Sequence, residues 1–251
     1  MSAERAVVVH ASAEHLAEAT AARLLLAILD AQSLRHPVHI AVTGGTIGIK
    51  TLERVRTSAL RGAVDWTGVH VWWGDERLVR AGDAERNDGQ AREALFDHLP
   101  IPPENVHPMP SSDDVSSPAE GAYVYAAELA RWADDGEQVP PFDVVLLGMG
   151  PDAHIGSLFP GHATIDVTDR ATVGVTNSPK PPSERVSLTL PAITSARQVW
   201  LVVSGAEKAD AVARALAGAD PHEAPAAAAR GRELTLWLVD TAAAATHRTE
   251  E

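Results

Sequence analysis

The 251-residue chain contains no cysteine, which excludes a disulfide framework and any zinc site built on thiolates. Histidine and carboxylate ligands remain available, and a reducing cytoplasm suits such a composition. Long apolar runs are missing as well: no stretch reaches the roughly 18 uncharged apolar residues that would span a bilayer. The opening MSAERAVVVHASAEHL has a short apolar run interrupted by charge, so it lacks the long apolar core of a signal peptide. A soluble cytoplasmic protein without membrane contact is expected. Cations are scarce, 21 Lys and Arg against 34 Asp and Glu, and the resulting charge of −13 repels a phosphate backbone, so nucleic acid is not an expected partner. No solenoid period or heptad seam is present, which excludes repeat architectures.

What the chain does have is a hydrophobic share of 45% and an alternation of short β-branched runs with Ala/Leu-rich helical patterns. That alternation predicts an α/β fold, a mostly parallel sheet covered by helices on both faces, in one domain over residues 1–251. Strands are expected at Ala6–Val9, Val38–Val42, Val69–Trp73, Asp143–Leu147, Ala171–Val175, Val186–Leu190, Gln198–Val203 and Leu234–Val239. Several are apolar throughout, as strands buried on both faces are. Helices are expected at Ala13–Ala31, with Ser12 as N-cap, and at Gly48–Leu60, Asp88–Leu99, Pro118–Trp132 and Ala206–Leu216. Pro100–Ser117 and Pro179–Ser183 read as surface connections, Ala224–Ala229 as a short helix, and Thr241–Glu251 as a frayed tail.

One theme recurs. Four expected strands run straight into glycine and polar residues: VHIAVTGGT, VHVWWGDER, DVVLLGMGPDAH and VWLVVSGAEK. In a parallel sheet the carboxyl ends of the strands share one edge, where open α/β proteins bind ligands, so these motifs converge.

Each motif has a bland and a chemical reading. Thr43-Gly44-Gly45-Thr46 with Gly48 is either a tight turn or an anion site at a helix start, and neither GxxxxGK[ST] nor GxGxxG spacing supports a nucleotide. Asp75-Glu76-Arg77, followed by Arg86-Asn87, is either a solvated loop with an ion pair or a site in which Arg77 receives a phosphate or carboxylate while Asp75 and Glu76 orient it or meet hydroxyls. Most informative is GMGPDAHIGSLFPG from Gly148, where a Gly-x-Gly-Pro turn delivers His154, with Asp152 two residues upstream, to the ligand edge. An unperturbed imidazole titrates near pH 6.5. A general base activating water is therefore the simpler chemistry, since the chain has no thiol and no Gly-x-Ser-x-Gly elbow here. His154 and His162 lack HExxH spacing, and no metal is expected. Lys180, Arg185 and Lys208 either snorkel to solvent or form a local positive funnel, and a lysine at a helix start, as at 208, suggests an anion nearby.

Taken jointly and in order, Gly44-Gly45, the WxxDER-like run ending at Arg77, Arg86-Asn87, GxGxDxHxxSLFPG from Gly148, KPPxxRxSLT from Lys180 and SGxxKA from Ser204 resemble the 6-phosphogluconolactonase family. That family sits within the larger group that includes glucosamine-6-phosphate isomerase/deaminase. The resemblance implies a Rossmann-like sheet, hydrolysis of 6-phospho-D-glucono-1,5-lactone, and no organic cofactor. It also implies that His154 is the base with Asp152 beside it, and that Gly44, Gly45, Thr46, Asp75, Arg77, Asn87, Lys180, Arg185 and Lys208 bind substrate. Three positions depart from the family pattern: Ala153 where glycine is usual, Arg86 where serine often precedes asparagine, and Thr46-Ile47-Gly48 where Ser/Thr-x-Pro is common.

Two other readings compete. An amino-sugar phosphate isomerase/deaminase needs an acid/base pair at two carbons, but the related deaminases typically carry DEY where this chain has Asp75-Glu76-Arg77, and an acid soon after the histidine where it offers Ser157. A non-catalytic sugar-phosphate sensor normally carries a helix-turn-helix segment, whereas this chain begins almost at once with an expected strand.

Overall fold

The computed structural model describes residues 4–246. Seven parallel strands form the main sheet: β1 (Glu4–His10), β2 (Val38–Val42), β3 (Val69–Trp73), β5 (Val106–His107), β6 (Phe142–Leu147), β9 (Gln198–Val203) and β10 (Leu234–Asp240). Their spatial order is β1-β10-β9-β6-β2-β3-β5. A smaller antiparallel sheet, in the order β4-β8-β7, joins β4 (Asp75–Arg77), β8 (Arg185–Leu188) and β7 (Thr172–Val175).

The main sheet forms because its strands are mostly apolar on both faces; β2, β3 and β6 are buried at every position. On one face lie α1 (Ala13–Leu34), α2 (Gly45–Thr57) and α3 (Asn87–Ala94), packed side by side. The other face carries α4 (Pro118–Ala130), whose Tyr125 hydroxyl accepts from the Trp73 N–H at 3.0 Å, while α5 (Leu190–Thr194) and α6 (Ala209–Leu216) complete the helices. Side-chain caps start three of them: Ser12 accepts from His15 N at 3.4 Å, Ser117, just before a proline at the first helical position, accepts from Glu120 N at 3.2 Å, and Thr189 accepts from Ala192 N at 3.5 Å.

The structure departs from the sequence expectation in several places. The runs at 171–175 and 186–190 leave the parallel sheet and pair with each other, because the segment between β7 and β8 holds no helix to carry a parallel crossover. β4 and β5, of three and two residues, are too short to show alternation and fall in stretches read as loops. The helix expected over Asp88–Leu99 ends at Ala94, and a 3-10 turn at Phe96–His98 follows. The helix expected from Gly48 starts at Gly45 and that expected from Ala206 starts at Ala209, preceded by a 3-10 turn, while Ala224–Ala229 is a 3-10 turn over Pro225–Ala228. The start of the expected frayed tail is tied down, with Ala243 and Ala244 buried and Thr241 N bonded to His10 O at 2.8 Å. The rest of that segment lies outside the described residues. No helix among the described residues is long and apolar enough to cross a membrane.

From β2 the chain proceeds outward to β3 and β5, then returns to β6 on the other side and proceeds to β9 and β10. The loops after β2 and β6 therefore diverge and open a crevice at the switch point. Thr43 spans it, its hydroxyl accepting from Gly148 N–H at 3.1 Å.

Candidate active site

The strands that end in glycine are the four adjacent strands β9, β6, β2 and β3, and at their carboxyl edge lies a cleft of about 260 Å³. Gly44, Gly45, Asp75, Arg77, Asn87, His154, Lys180, Arg185 and Lys208 line it. Asp152 stands behind His154. Thr46 lies outside this cleft and lines two adjoining hollows at the start of α2. Its position follows from helix geometry, since α2 begins at Gly45 and turns the next side chain away.

His154 sits on a loop that a glycine makes possible. A Cβ on Gly150 would lie 2.0 Å from the imidazole Nδ1, so only glycine leaves the ring its place. Nδ1 is 2.5 Å from Asp152 Oδ1 and 3.3 Å from the Lys180 ammonium, which is itself 3.5 Å from that carboxylate. Because the Asp152 carboxylate, much the nearer of the two, can only accept, Nδ1 carries the proton and the lone pair of the neutral ring resides on Nε2, for which the described residues provide no partner. Phe159 packs on the ring at 4.6 Å between centroids. Burial works to raise the Asp152 pKa, but the hydrogen bond from His154, the charge that ring carries when protonated and the Lys180 ammonium outweigh it and hold the carboxyl well below its usual range. Ala153 adopts φ 71°, the left-handed region that alanine enters at a cost of about 1–2 kcal/mol, so its departure from glycine carries strain.

The small antiparallel sheet supplies the facing wall. Arg77 pairs directly with Arg185 across β4 and β8. Like charges opposite each other destabilise a strand pair unless something compensates them. Asp75 does so in part, with an oxygen 3.9 Å from Arg185 Nη1 and bonded to the Ser157 hydroxyl at 2.7 Å. Arg185 also donates to the carbonyls of Pro181 at 3.0 Å and Pro182 at 3.1 Å, and burial lowers its pKa. Lys208 donates to Met149 O at 2.7 Å, and its amine is pushed down first by burial and then by Lys180. Four cations thus meet the two carboxylates of Asp75 and Asp152, a local positive surplus in a chain of net −13. At the opposite edge of the sheet a hollow of about 330 Å³ also gathers arginines, but there Arg35 bonds Asp143 and Arg197 pairs with Glu233 at 2.6 Å.

Sequence reasoning did not find the importance of Phe159 or of Ser157 bonded to Asp75. No local pattern marks either, because the partners lie across the fold. Neither, for the same reason, does the sequence show that Asp75 and Glu76 are buried rather than solvated, at 8% and 1% exposure.

A family model described as glucosamine-6-phosphate isomerases/6-phosphogluconolactonase matches residues 11–237. The chain belongs to this family. Among its members, a 6-phosphogluconolactonase of Streptomyces coelicolor is 50% identical over 248 residues, covering 97% of this chain and 95% of that protein. Another, of Mycobacterium leprae, is 50% identical over 225 residues, covering 89% and 90%. Among solved structures, a 6-phosphogluconolactonase from Trypanosoma brucei superposes with a TM-score of 0.83 at 30% identity, covering 97% of this chain and 99% of that one.

Proposed function

We propose that this chain hydrolyses 6-phospho-D-glucono-1,5-lactone to 6-phospho-D-gluconate in the oxidative pentose phosphate pathway, with His154 activating the water. The observation that carries the reading is an imidazole with Asp152 on Nδ1 and a lone pair on Nε2, placed in a cleft with surplus positive charge. Family relatives at 50% identity that are named for this activity support it.

Nε2 takes a proton from water as its oxygen bonds to the lactone carbonyl carbon. The carbonyl becomes a tetrahedral oxyanion, which the nearby cations stabilise, Lys180 lying closest to the base. Collapse breaks the bond to the ring oxygen, and the imidazolium returns its proton to that oxygen. Asp152 compensates the charge on the ring between the two transfers. The phosphate dianion resides among Arg77, Arg185, Lys208 and the Gly44-Gly45 turn, neutralising the Arg77/Arg185 pair. The position of Phe159 against the imidazole suits hydrolysis rather than isomerisation, since it puts an apolar ring, not a second acid, beside the base.

Proton release after addition of freshly generated lactone tests the reading. A rate above spontaneous hydrolysis, proportional to protein concentration, is expected; a rate equal to the spontaneous one sinks it.

A further inference from the structure

We propose that Glu76, which faces away from the cleft, is the positioning residue of its anion-binding wall, locking Arg77 and Asn87 into one rigid unit; the inference rests on the anion-binding role proposed above for Arg77. Strand alternation in β4 turns Asp75 and Arg77 to the cleft and leaves Glu76 behind it, at 1% exposure. There its carboxylate accepts three backbone N–H groups: from Arg77 at 2.8 Å and Asn87 at 2.8 Å on one oxygen, and from Asp88 at 2.9 Å on the other.

Two of those donors are the first amides of α3, a helix whose own N-cap, Arg86, makes no side-chain capping bond. A residue of another element therefore caps α3, and an anion is favoured at that end of a helix. Arg86, 2% exposed, brings a guanidinium nitrogen within 3.7 Å of Glu76 and anchors itself on the Met109 carbonyl at 2.7 Å and on Asp88 at 2.8 Å. Burial pushes the Glu76 carboxyl up to about 7, and Arg86 together with the three amides opposes that shift and favours the charged form.

The consequences reach the cleft through two side chains. Asn87 donates to the Asp75 carbonyl at 2.9 Å, and its Oδ1 is pressed so near Gly44 that a Cβ there would lie 1.9 Å away. Any shift of the α3 start drives Asn87 into the glycine turn or away from it. Arg77 bonds the Glu85 carbonyl through its guanidinium and Glu76 through its amide, so both ends of the residue refer to the segment 85–88. Releasing Glu76 frees the fork of Arg77 from the register in which it faces Arg185.

Glu76→Gln tests this, because it preserves shape but replaces one accepting oxygen with an NH₂ that cannot receive an amide N–H. For the folded variant, the KM for the lactone and the calorimetric Kd of 6-phosphogluconate should each rise at least about tenfold while kcat stays within about threefold. Combined with Arg77→Ala, it should add nearly nothing to the effect of Arg77→Ala alone, since both changes act through one group. A lower melting temperature is expected under either role, but a purely structural Glu76 would leave KM and Kd of the folded protein unchanged, and a Glu76 acting independently of Arg77 would give effects that multiply; either of these two results overturns the proposal. If the wild-type protein shows no lactonase activity, the functional reading fails, and the phosphogluconate affinities still decide the role of Glu76.

Discussion

The molecule uses histidine in two opposite ways. His39, His70 and His107 lie on the adjacent strands β2, β3 and β5 under the end of α4, where His70 Nδ1 meets His107 Nε2 at 2.9 Å, His107 Nδ1 meets Glu128 at 2.9 Å, and the Trp72 indole donates to His39 at 3.2 Å. Trp72 stacks on His107 at 3.8 Å and Trp132 packs 4.1 Å from His70. Burial, then the neighbouring imidazoles, push His39 down to about 3 and His70 to about 4. These rings are buried, and His39 and His70 are held neutral. His154 instead follows the end of β6 on a glycine turn, keeps one nitrogen for a carboxylate and presents the other to a cleft. The lesson is positional: inside a strand an imidazole fills space and bonds its own kind, while past the carboxyl end of a strand it is free to exchange protons with a ligand.

The largest test of that contrast is His154→Ala. General acid–base help contributes typically about 10²–10⁴-fold, so kcat should fall by that order while 6-phosphogluconate affinity changes by less than about threefold. Near-normal kcat would place the base elsewhere and erase the difference between the two sets of histidines.

Lys208→Ala comes next. Losing one hydrogen bond to a charged group costs about 1.5–3 kcal/mol, so calorimetry should show product binding weakened by roughly 10- to 150-fold, with kcat affected less. Arg185→Ala should weaken binding similarly and also lower the melting temperature, because Arg185 bonds the carbonyls of the 180–182 segment. Equal stability of the two variants would contradict the anchoring described for Arg185.

The core histidines predict an acid response of smaller size. Their folded pKa values lie below the ordinary histidine value, so the unfolded chain binds more protons; their stabilisation is complete above about pH 6.5 and is lost as pH falls toward 4 and 3. Urea midpoints measured from pH 7 to pH 5 should drop by the equivalent of about 1 kcal/mol per pH unit below 6.5 for each of these histidines. His70→Phe should flatten that slope and leave the KM of the folded enzyme unchanged. A slope identical to that of wild type would show that the cluster is already charged in the folded state.

Ala153→Gly is expected to do least. Relief of about 1–2 kcal/mol of left-handed strain is offset by the roughly 0.5–1 kcal/mol that glycine's chain entropy costs and by a lost buried methyl. Stability should change by under about 1 kcal/mol and kcat by under about twofold. A drop in kcat beyond tenfold would mean that the strain itself holds His154 in place.

Much of this could be read from residues alone, for identifiable reasons. The parallel sheet was legible because β2, β3 and β6 are largely apolar runs, and the ligand edge because Gly44, Gly74, Gly148 and Gly205 follow strands at once or after one residue. Asp152 and His154 were legible as a pair because two residues of spacing within one tight turn leave them little choice but to meet. Thr46, by contrast, was assigned to the cleft by its neighbours in sequence, and the start of α2 turned it aside.

Sequence by itself determined the covered α/β sheet, the edge at which chemistry occurs and the local His154/Asp152 unit, since strand period, glycine turns and short spacings are properties of a few consecutive residues. Only the tertiary structure decided that residues 185–188 pair with both Asp75–Arg77 and residues 172–175 outside the main sheet, that Arg77 confronts Arg185, that Lys180 reaches the imidazole and that Glu76 caps a helix from behind. Each of these joins side chains or amides that are far apart in the chain, and such a partnership is selected by which donors and charges burial leaves to be satisfied, which no local pattern records.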